Sequence, residues 1–196
     1  MNNFCYGFVV AGLAMWISVP AIAADQPAAP AAVKPAPEMA KLKPFEGRWE
    51  CTGQMDASPF GPAHKTATRV TAHSDLGGFW LSGRVVEKKT AESPMPIEGM
   101  FHETWDPGAK QYLMLWVDNT GAWAQQTSPG WSGATIVFTG DGWGGGQKFG
   151  MRDIFTFSGP GEMAHGMEVN ATGQWAPMGR ETCRVVAEAA KSASKP

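Results

Sequence analysis

The feature that most constrains this 196-residue chain is a succession of short β-prone segments, separated by turn residues, from residue 45 almost to the C-terminus. The turns carry Gly, Pro, Asn and Asp, which reverse a chain at low cost, as at residues 106–108, 119–121, 129–130 and 158–161. We predict ten strands, at residues 47–55, 66–74, 79–88, 97–105, 111–118, 122–127, 134–139, 148–157, 162–172 and 180–187.

Short consecutive strands joined by tight turns form an antiparallel meander. A twisted sheet of about ten strands usually closes on itself, because closure removes its unpaired edges. We therefore predict an all-β fold, an antiparallel up-and-down β-barrel of about ten strands, with a short helical turn at residues 38–43 before it. The 24 Gly, 9 Trp and 10 Phe fit a sheet protein.

The N-terminal residues predict export. An apolar run at residues 8–20 precedes Ala21, Ile22 and Ala23, a small-x-small pattern that signal peptidase accepts. The run is about 13 residues long, whereas a membrane span needs roughly 20, so no membrane span is predicted. We expect a signal peptide at residues 1–24, a disordered Pro/Ala-rich tether at 25–40, one barrel domain at 41–188 and a flexible tail at 189–196. The expected location is periplasmic or secreted.

Two cysteines remain after the expected cleavage, Cys51 in the first predicted strand and Cys183 in the last. Those strands are neighbours in a closed meander, and an exported protein meets an oxidising compartment. We predict that the two residues form a disulfide across the barrel seam. The alternative is a pair of buried free thiols.

Little in the sequence indicates catalysis or a charged macromolecular partner. The net charge is −2 with Lys and Arg scattered singly, which disfavours nucleic acid. No nucleophile elbow, phosphate loop or dinucleotide fingerprint is present, and the glycine-rich run at 140–146 lies between two strands and is interpreted as a hairpin loop. Glu103, Asp118 and Asp153 are candidate acid-base residues by strand position alone, so no enzyme activity is predicted.

The barrel interior is the candidate binding site. The chain has more large, soft side chains than the outer faces of strands require, and Met and aromatic residues adapt to varied ligands. They either line a pocket for a small hydrophobic ligand or fill the interior by packing. The lumen candidates are Trp80, Trp105, Trp116, Trp123, Met114, Met151, His102 and His165.

The segment around Gly47 and Trp49 carries a Gly-x-Trp motif after a short helical turn, and it resembles the opening of lipocalin-like (calycin) barrels. The resemblance implies that Trp49 packs into the closed end, with Arg184 or Arg180 lying across it as a cation on an aromatic face. An ordered set of motifs at residues 42–49, 77–81, 103–107, 110–112 and 116–118 is similar to an uncharacterised bacterial family of such barrels, the domain-of-unknown-function family numbered 1579. That resemblance implies the architecture and no reaction.

Four histidines are present, and no two lie at metal-ligand spacing on one element, so no metal and no cofactor are predicted. An alternative, by analogy with nitrobindin-type barrels, is haem ligation by His102 or His165. The function expected is that of an exported lipocalin-like protein with a small hydrophobic ligand in its barrel. The competing hypothesis is a structural or protein-interaction module of the cell envelope with a filled barrel.

Overall fold

The structure, a computed structural model, describes residues 33–58 and 61–187. The expected signal peptide, most of the tether and the C-terminal tail lie outside the described residues. A 3-10 helix spans Pro37–Phe45, and a second, three-residue one spans Leu76–Gly78. The strands of the described chain are β1 (Gly47–Met55), β2 (His64–Asp75), β3 (Trp80–Glu87), β4 (Glu98–Asp106), β5 (Gln111–Asp118), β6 (Trp123–Ser128), β7 (Trp131–Ser132), β8 (Thr135–Gly144), β9 (Gln147–Gly159), β10 (Glu162–Asn170) and β11 (Ala176–Val185).

These strands form a closed antiparallel barrel. Neighbours in sequence pair along β1 to β6 and along β8 to β11, and β1 pairs with β11. The ring is completed where β6 pairs with β8, while the two residues of β7 pair with β8 alone. The predicted all-β barrel of about ten strands is confirmed, with β7 as an additional short strand.

The seam of the barrel carries the predicted disulfide. Cys51 and Cys183 are directly opposite residues of β1 and β11, and their sulfur atoms are bonded. Both residues are 1 % exposed. The bond joins positions 132 residues apart and ties the first strand to the last.

Two details of the sequence interpretation are corrected. The glycine-rich run at 140–146 is mostly strand, because β8 continues to Gly144 and only Gly145 and Gly146 form the turn. At Gly140 a side chain has no room, since a Cβ there would lie 2.1 Å from the carbonyl oxygen of Gln125. The 3-10 helix begins at Pro37, within the segment expected to be tether.

The 3-10 helix closes one end of the barrel. Its Leu42 and Phe45 are 1 % and 5 % exposed and belong to the main hydrophobic core. The ring of Phe45 contacts the rings of Phe155 and Phe157 edge-on, at 5.2 and 5.1 Å between centroids. The Trp49 indole donates to the Phe45 carbonyl oxygen at 2.9 Å, which fixes the end of the helix to the start of β1. We call this the plugged end, and the opposite end the mouth.

In the described part of the chain, no helix is both long enough and apolar enough to cross a membrane.

Candidate functional site

Alternation along each strand decides which predicted lumen residues face inward. Five do so: Trp105, Trp116, Met114, Met151 and His165. Met114 belongs to the core cluster near the plugged end, and Trp105 packs against that cluster. Trp116 and Met151 lie nearer the mouth and are partly exposed.

Trp80, His102 and Trp123 face outward, so the structure removes them from the lumen. His102 follows Phe101, which packs against the core, and its Nδ1 lies 2.9 Å from the Ser82 hydroxyl on the outer face. Trp80 contacts the His102 ring edge-on from the same face. Haem ligation inside the barrel by His102 is therefore excluded by its position.

Trp123 takes part in an outer aromatic pair. It stacks on Trp143, its cross-strand partner in β8, with 3.8 Å between centroids and 9° between planes. Trp123 is 43 % exposed, and Lys148 lies over the other ring at 5.4 Å. The sequence predicted this tryptophan on the wrong face, because β6 carries large or polar residues on both faces.

The environment expected for Trp49 is half correct. Trp49 is 2 % exposed and packs at the plugged end, where the Phe157 ring meets it edge-on. Arg184 does not lie across it: this side chain follows the inward Cys183, points outward and pairs with Glu162 at 3.1 Å. Arg180 likewise follows the inward Gly179. The described ring contact of Trp49 is therefore with an aromatic residue, and no cation of the described chain lies over its face.

Large side chains near the mouth lie flat over inward-facing glycines. A Cβ added to Gly83 would meet the Phe101 ring at 2.1 Å, and one added to Gly99 would meet the Trp116 ring at 2.3 Å. Each of these aromatic side chains lies against the inner surface of the sheet, in space that a side chain at the glycine position would otherwise occupy. The same arrangement places Phe149 over Gly142 and Met55 over Gly179. We call these four glycine-backed side chains the wall.

A group of polar residues lies deeper, between the wall and the plugged end. Asp153, 5 % exposed, accepts a hydrogen bond from the Gln126 amide at 2.7 Å and pairs with His165 Nε2 at 2.8 Å. The His165 ring stacks on Phe155 at 4.3 Å. Glu103 is 1 % exposed and interacts electrostatically with Asp153. We call these residues, with Glu181 described next, the floor.

Glu181 extends the floor onto the neighbouring strand. It is the cross-strand partner of His165, and one carboxylate oxygen accepts from the Thr66 and Thr68 hydroxyls, each at 2.8 Å. Sequence reasoning missed Glu181 and Gln126. The alternation Ala124, Gln126, Ser128 in β6 marks an inward polar position, yet one strand alone does not show what it faces.

The pKa of one floor residue, Glu103, is strongly shifted by its surroundings. Burial, and secondarily the negative charge of Asp153, raises the pKa of Glu103 to about 8. This carboxyl group is therefore mostly protonated at neutral pH. Its Oε2 atom and Gln126 Oε1 are buried without a hydrogen-bond partner in the described protein. Buried polar atoms are nearly always paired. Of the four described atoms without a partner, two belong to the floor, and the other two are Glu87 Oε1 and Trp131 Nε1.

The three carboxylates predicted from strand position have different surroundings. Glu103 and Asp153 lie together in the floor. Asp118 lies at the mouth, where it accepts from the Trp116 indole at 3.0 Å and from the Thr120 backbone at 2.8 Å, a hairpin-end role. The donor atoms of Cys51, Glu181 and Cys183 lie close together, but the two sulfurs are bonded to each other and are not free to ligate a metal.

The outer surface also has a concavity, which lies over β1, β9, β10 and β11. It is open and measures about 590 Å³, with Thr52, Ile154, Ala164, Gly166 and Arg180 among its lining residues. None of the wall residues lines it, but the floor residues His165 and Glu181 do, between outward-facing neighbours on the same strands.

The fold and the site together define a closed antiparallel barrel with an aromatic wall and a polar, acidic floor. Residues 34–184 match the model of the family described as protein of unknown function (DUF1579), and the chain belongs to this family. No curated protein matches the chain. Among solved structures, the crystal structure of Rv2717c from M. tuberculosis is similar, with a TM-score of 0.62 and 14% identity over 79% of this chain and 100% of that one. This likeness shows the fold.

Proposed function

We propose that the protein is exported and binds a small molecule with a mainly apolar body in the lumen of the barrel, between the wall and the mouth. The observation that carries the proposal is the wall itself. Side chains that lie flat over glycines line an interior, whereas packing that filled the lumen would direct them toward its axis.

The exposure of the inward-facing residues supports the same proposal. Residues next to the plug, such as Tyr112 and Phe138, are 1 % and 0 % exposed. Phe101, Trp116 and Met167 face the same interior and are partly exposed. The upper lumen is therefore less tightly packed than the plugged end, and an apolar ligand that covered this aromatic and methionine surface would gain free energy.

Binding of N-phenylnaphthylamine, an uncharged fluorescent probe, tests the proposal. We expect its emission to rise on mixing, and the probe to bind more weakly to Trp116→Ala, which loses lumen surface, while the matched outer-face variant Trp123→Ala binds it as wild type does. No rise in emission would contradict a lumen site and favour the filled interaction module.

A pair of glycine variants locates the probe. Gly142→Ala forces a Cβ to within 2.5 Å of the Phe149 ring and displaces it into the lumen, so the probe should bind about tenfold more weakly. Gly166→Ala is the control, because its nearest neighbour is 3.9 Å away and it faces the outer concavity. If only Gly166→Ala weakened binding, the ligand would occupy the concavity and the lumen proposal would be wrong.

Export is the second part of the proposal, and it rests on the apolar run and the small-x-small pattern before residue 24. Expression of the full chain in a bacterial host should give a periplasmic or secreted product that begins at residue 24 or 25. Intact mass spectrometry of each cell fraction measures this. A full-length product in the cytoplasmic fraction would contradict export.

A further inference from the structure

We propose that the floor of the lumen is a subsite for a protonated amine, so that the ligand is an amphiphile with an apolar body and a cationic nitrogen. Glu103, Gln126 and Asp153 would receive the nitrogen, with Glu181 adjacent. This inference deepens the proposed function and rests on it.

The unpartnered carbonyl oxygen of Gln126 in the floor requires a hydrogen-bond donor. Gln126 Oε1 is a carbonyl oxygen and can only accept. Its orientation is fixed, because the amide nitrogen of the same side chain donates to Asp153. Glu103 Oε2 is a carboxyl oxygen, which accepts in the ionised group and can donate or accept in the protonated group. Both residues are 1 % exposed, so a donor for these oxygens has to come from inside the barrel, either a bound water or a ligand group.

The charges of the inner face favour a cation over a neutral donor. Inward-facing positions of the described strands include the acidic residues Glu87, Glu103, Asp118, Asp153 and Glu181. Among the same described positions there is no lysine or arginine. The basic groups that face the floor and its surroundings are two imidazoles, and both already contact carboxylates: His165 at Asp153, and His64 at Glu87 at 3.4 Å.

The order of the layers suits an amphiphile. The wall lies toward the mouth and the floor lies below it, so an apolar body among Trp116 and Phe149 would direct a short polar arm inward. An ammonium has three donors and no acceptor, which matches Gln126 Oε1 and the oxygens of Glu103 and Asp153. A carboxylate arm would instead meet acidic groups at short range and be repelled.

Three probes with one apolar body separate these possibilities: naphthylethylamine, naphthylethanol and naphthylpropanoate, titrated by calorimetry into the whole protein. We expect the amine to bind at least about tenfold more tightly than the alcohol, and the carboxylate to bind most weakly. In Asp153→Asn the amine should lose at least about tenfold in affinity while the alcohol changes little. Glu162→Gln, an outward carboxylate paired with Arg184, is the matched control and should leave all three unchanged.

Proton release gives a readout that a purely structural role would not produce. Glu103 interacts electrostatically with Asp153 and Tyr112, and its pKa of about 8 leaves it mostly protonated near neutrality. An ammonium beside it favours the carboxylate, so amine binding should release up to about one proton, measured by calorimetry in buffers of different ionisation enthalpy. Glu103→Gln should abolish the release.

The outcomes distinguish the two proposals. If none of the three probes binds, the lumen function itself is wrong. If naphthylethanol or naphthylpropanoate binds as tightly as the amine, or if amine binding releases no proton from wild type, the amine subsite is wrong while the lumen function stands.

Discussion

Burial changes the ionisation of Glu103 strongly, and this has a consequence for stability. A carboxyl group with a raised pKa holds its proton more tightly in the folded than in the unfolded state. The free energy of unfolding is therefore unaffected below the ordinary value of 4.5, falls as the pH rises above it, and levels off above about 8. The full effect is about 5 kcal/mol at most. The binding role proposed above would account for a buried group that lowers stability in this way.

Replacement of this residue should make the protein more stable in alkali. Glu103→Gln removes the cost of ionisation, so its free energy of unfolding should exceed that of wild type by about 2 kcal/mol or more at about pH 9, and vary less between about pH 5 and about pH 9. Urea unfolding at a series of pH values measures this. The exposed Glu46→Gln serves as control, and equal pH profiles for wild type and Glu103→Gln would contradict the raised pKa.

At this scale the sequence predicted strands better than faces. Successive side chains of a strand point to opposite faces of the sheet. His102 and Glu103 are adjacent in sequence and therefore lie on opposite sides of it. His165 was predicted inward and is, but its partner Asp153 lies on another strand. The association of Glu103 with Asp153 depends on barrel closure, which no local pattern encodes.

The 3-10 helix is the element that closes the plugged end of the barrel and fills it with apolar side chains. Phe45→Ala removes a ring that contacts three other aromatic rings, those of Trp131, Phe155 and Phe157. We expect a loss of about 3–5 kcal/mol in the free energy of unfolding, measured by urea denaturation. Lys43→Ala, an exposed position of the same helix, is the control. A loss within about 1 kcal/mol of the control would show that the helix is not part of the cooperative fold.

The glycine-rich segment of β8 shows why some elements escape sequence prediction. Glycines at 140, 142 and 144 predict a loop on composition alone. They belong to a strand because the opposing chain or ring comes too close for a side chain, as Phe149 does at Gly142. The deciding contact is across strands, and its register becomes visible only in the folded barrel. The turn residues of the other hairpins, by contrast, are local signals and were predicted well.

At the scale of the whole molecule, the seam carries the strongest covalent constraint. Replacement of both Cys51 and Cys183 by Ala releases a bond that spans 132 residues, and it should lower the free energy of unfolding by about 2–5 kcal/mol. Denaturation of wild type in the presence and absence of a reductant supplies the comparison, since reduced wild type should resemble the double variant. A difference below about 1 kcal/mol would contradict a structural role for the bond.

The barrel was predictable as a whole because consecutive strands pair with one another and the two cysteines mark where the ends meet. Its closure is less regular than a simple meander, because β6 pairs directly with β8 and the two-residue β7 is not part of the ring. An aromatic-rich interior was predictable from composition. The acidic floor was not predictable from the sequence, because each of its five residues comes from a different strand. A single polar residue at an inward position does not show what it will face.

A structure determined with naphthylethylamine bound tests the central claim most directly. We predict the naphthyl ring between Trp116 and Phe149, inside the barrel, with its nitrogen within hydrogen-bond distance of Gln126 Oε1 and a carboxyl oxygen of Glu103 or Asp153. A ring in the outer concavity over Ala164 and Gly166, or a lumen that stays without the amine at saturating concentration, would contradict it.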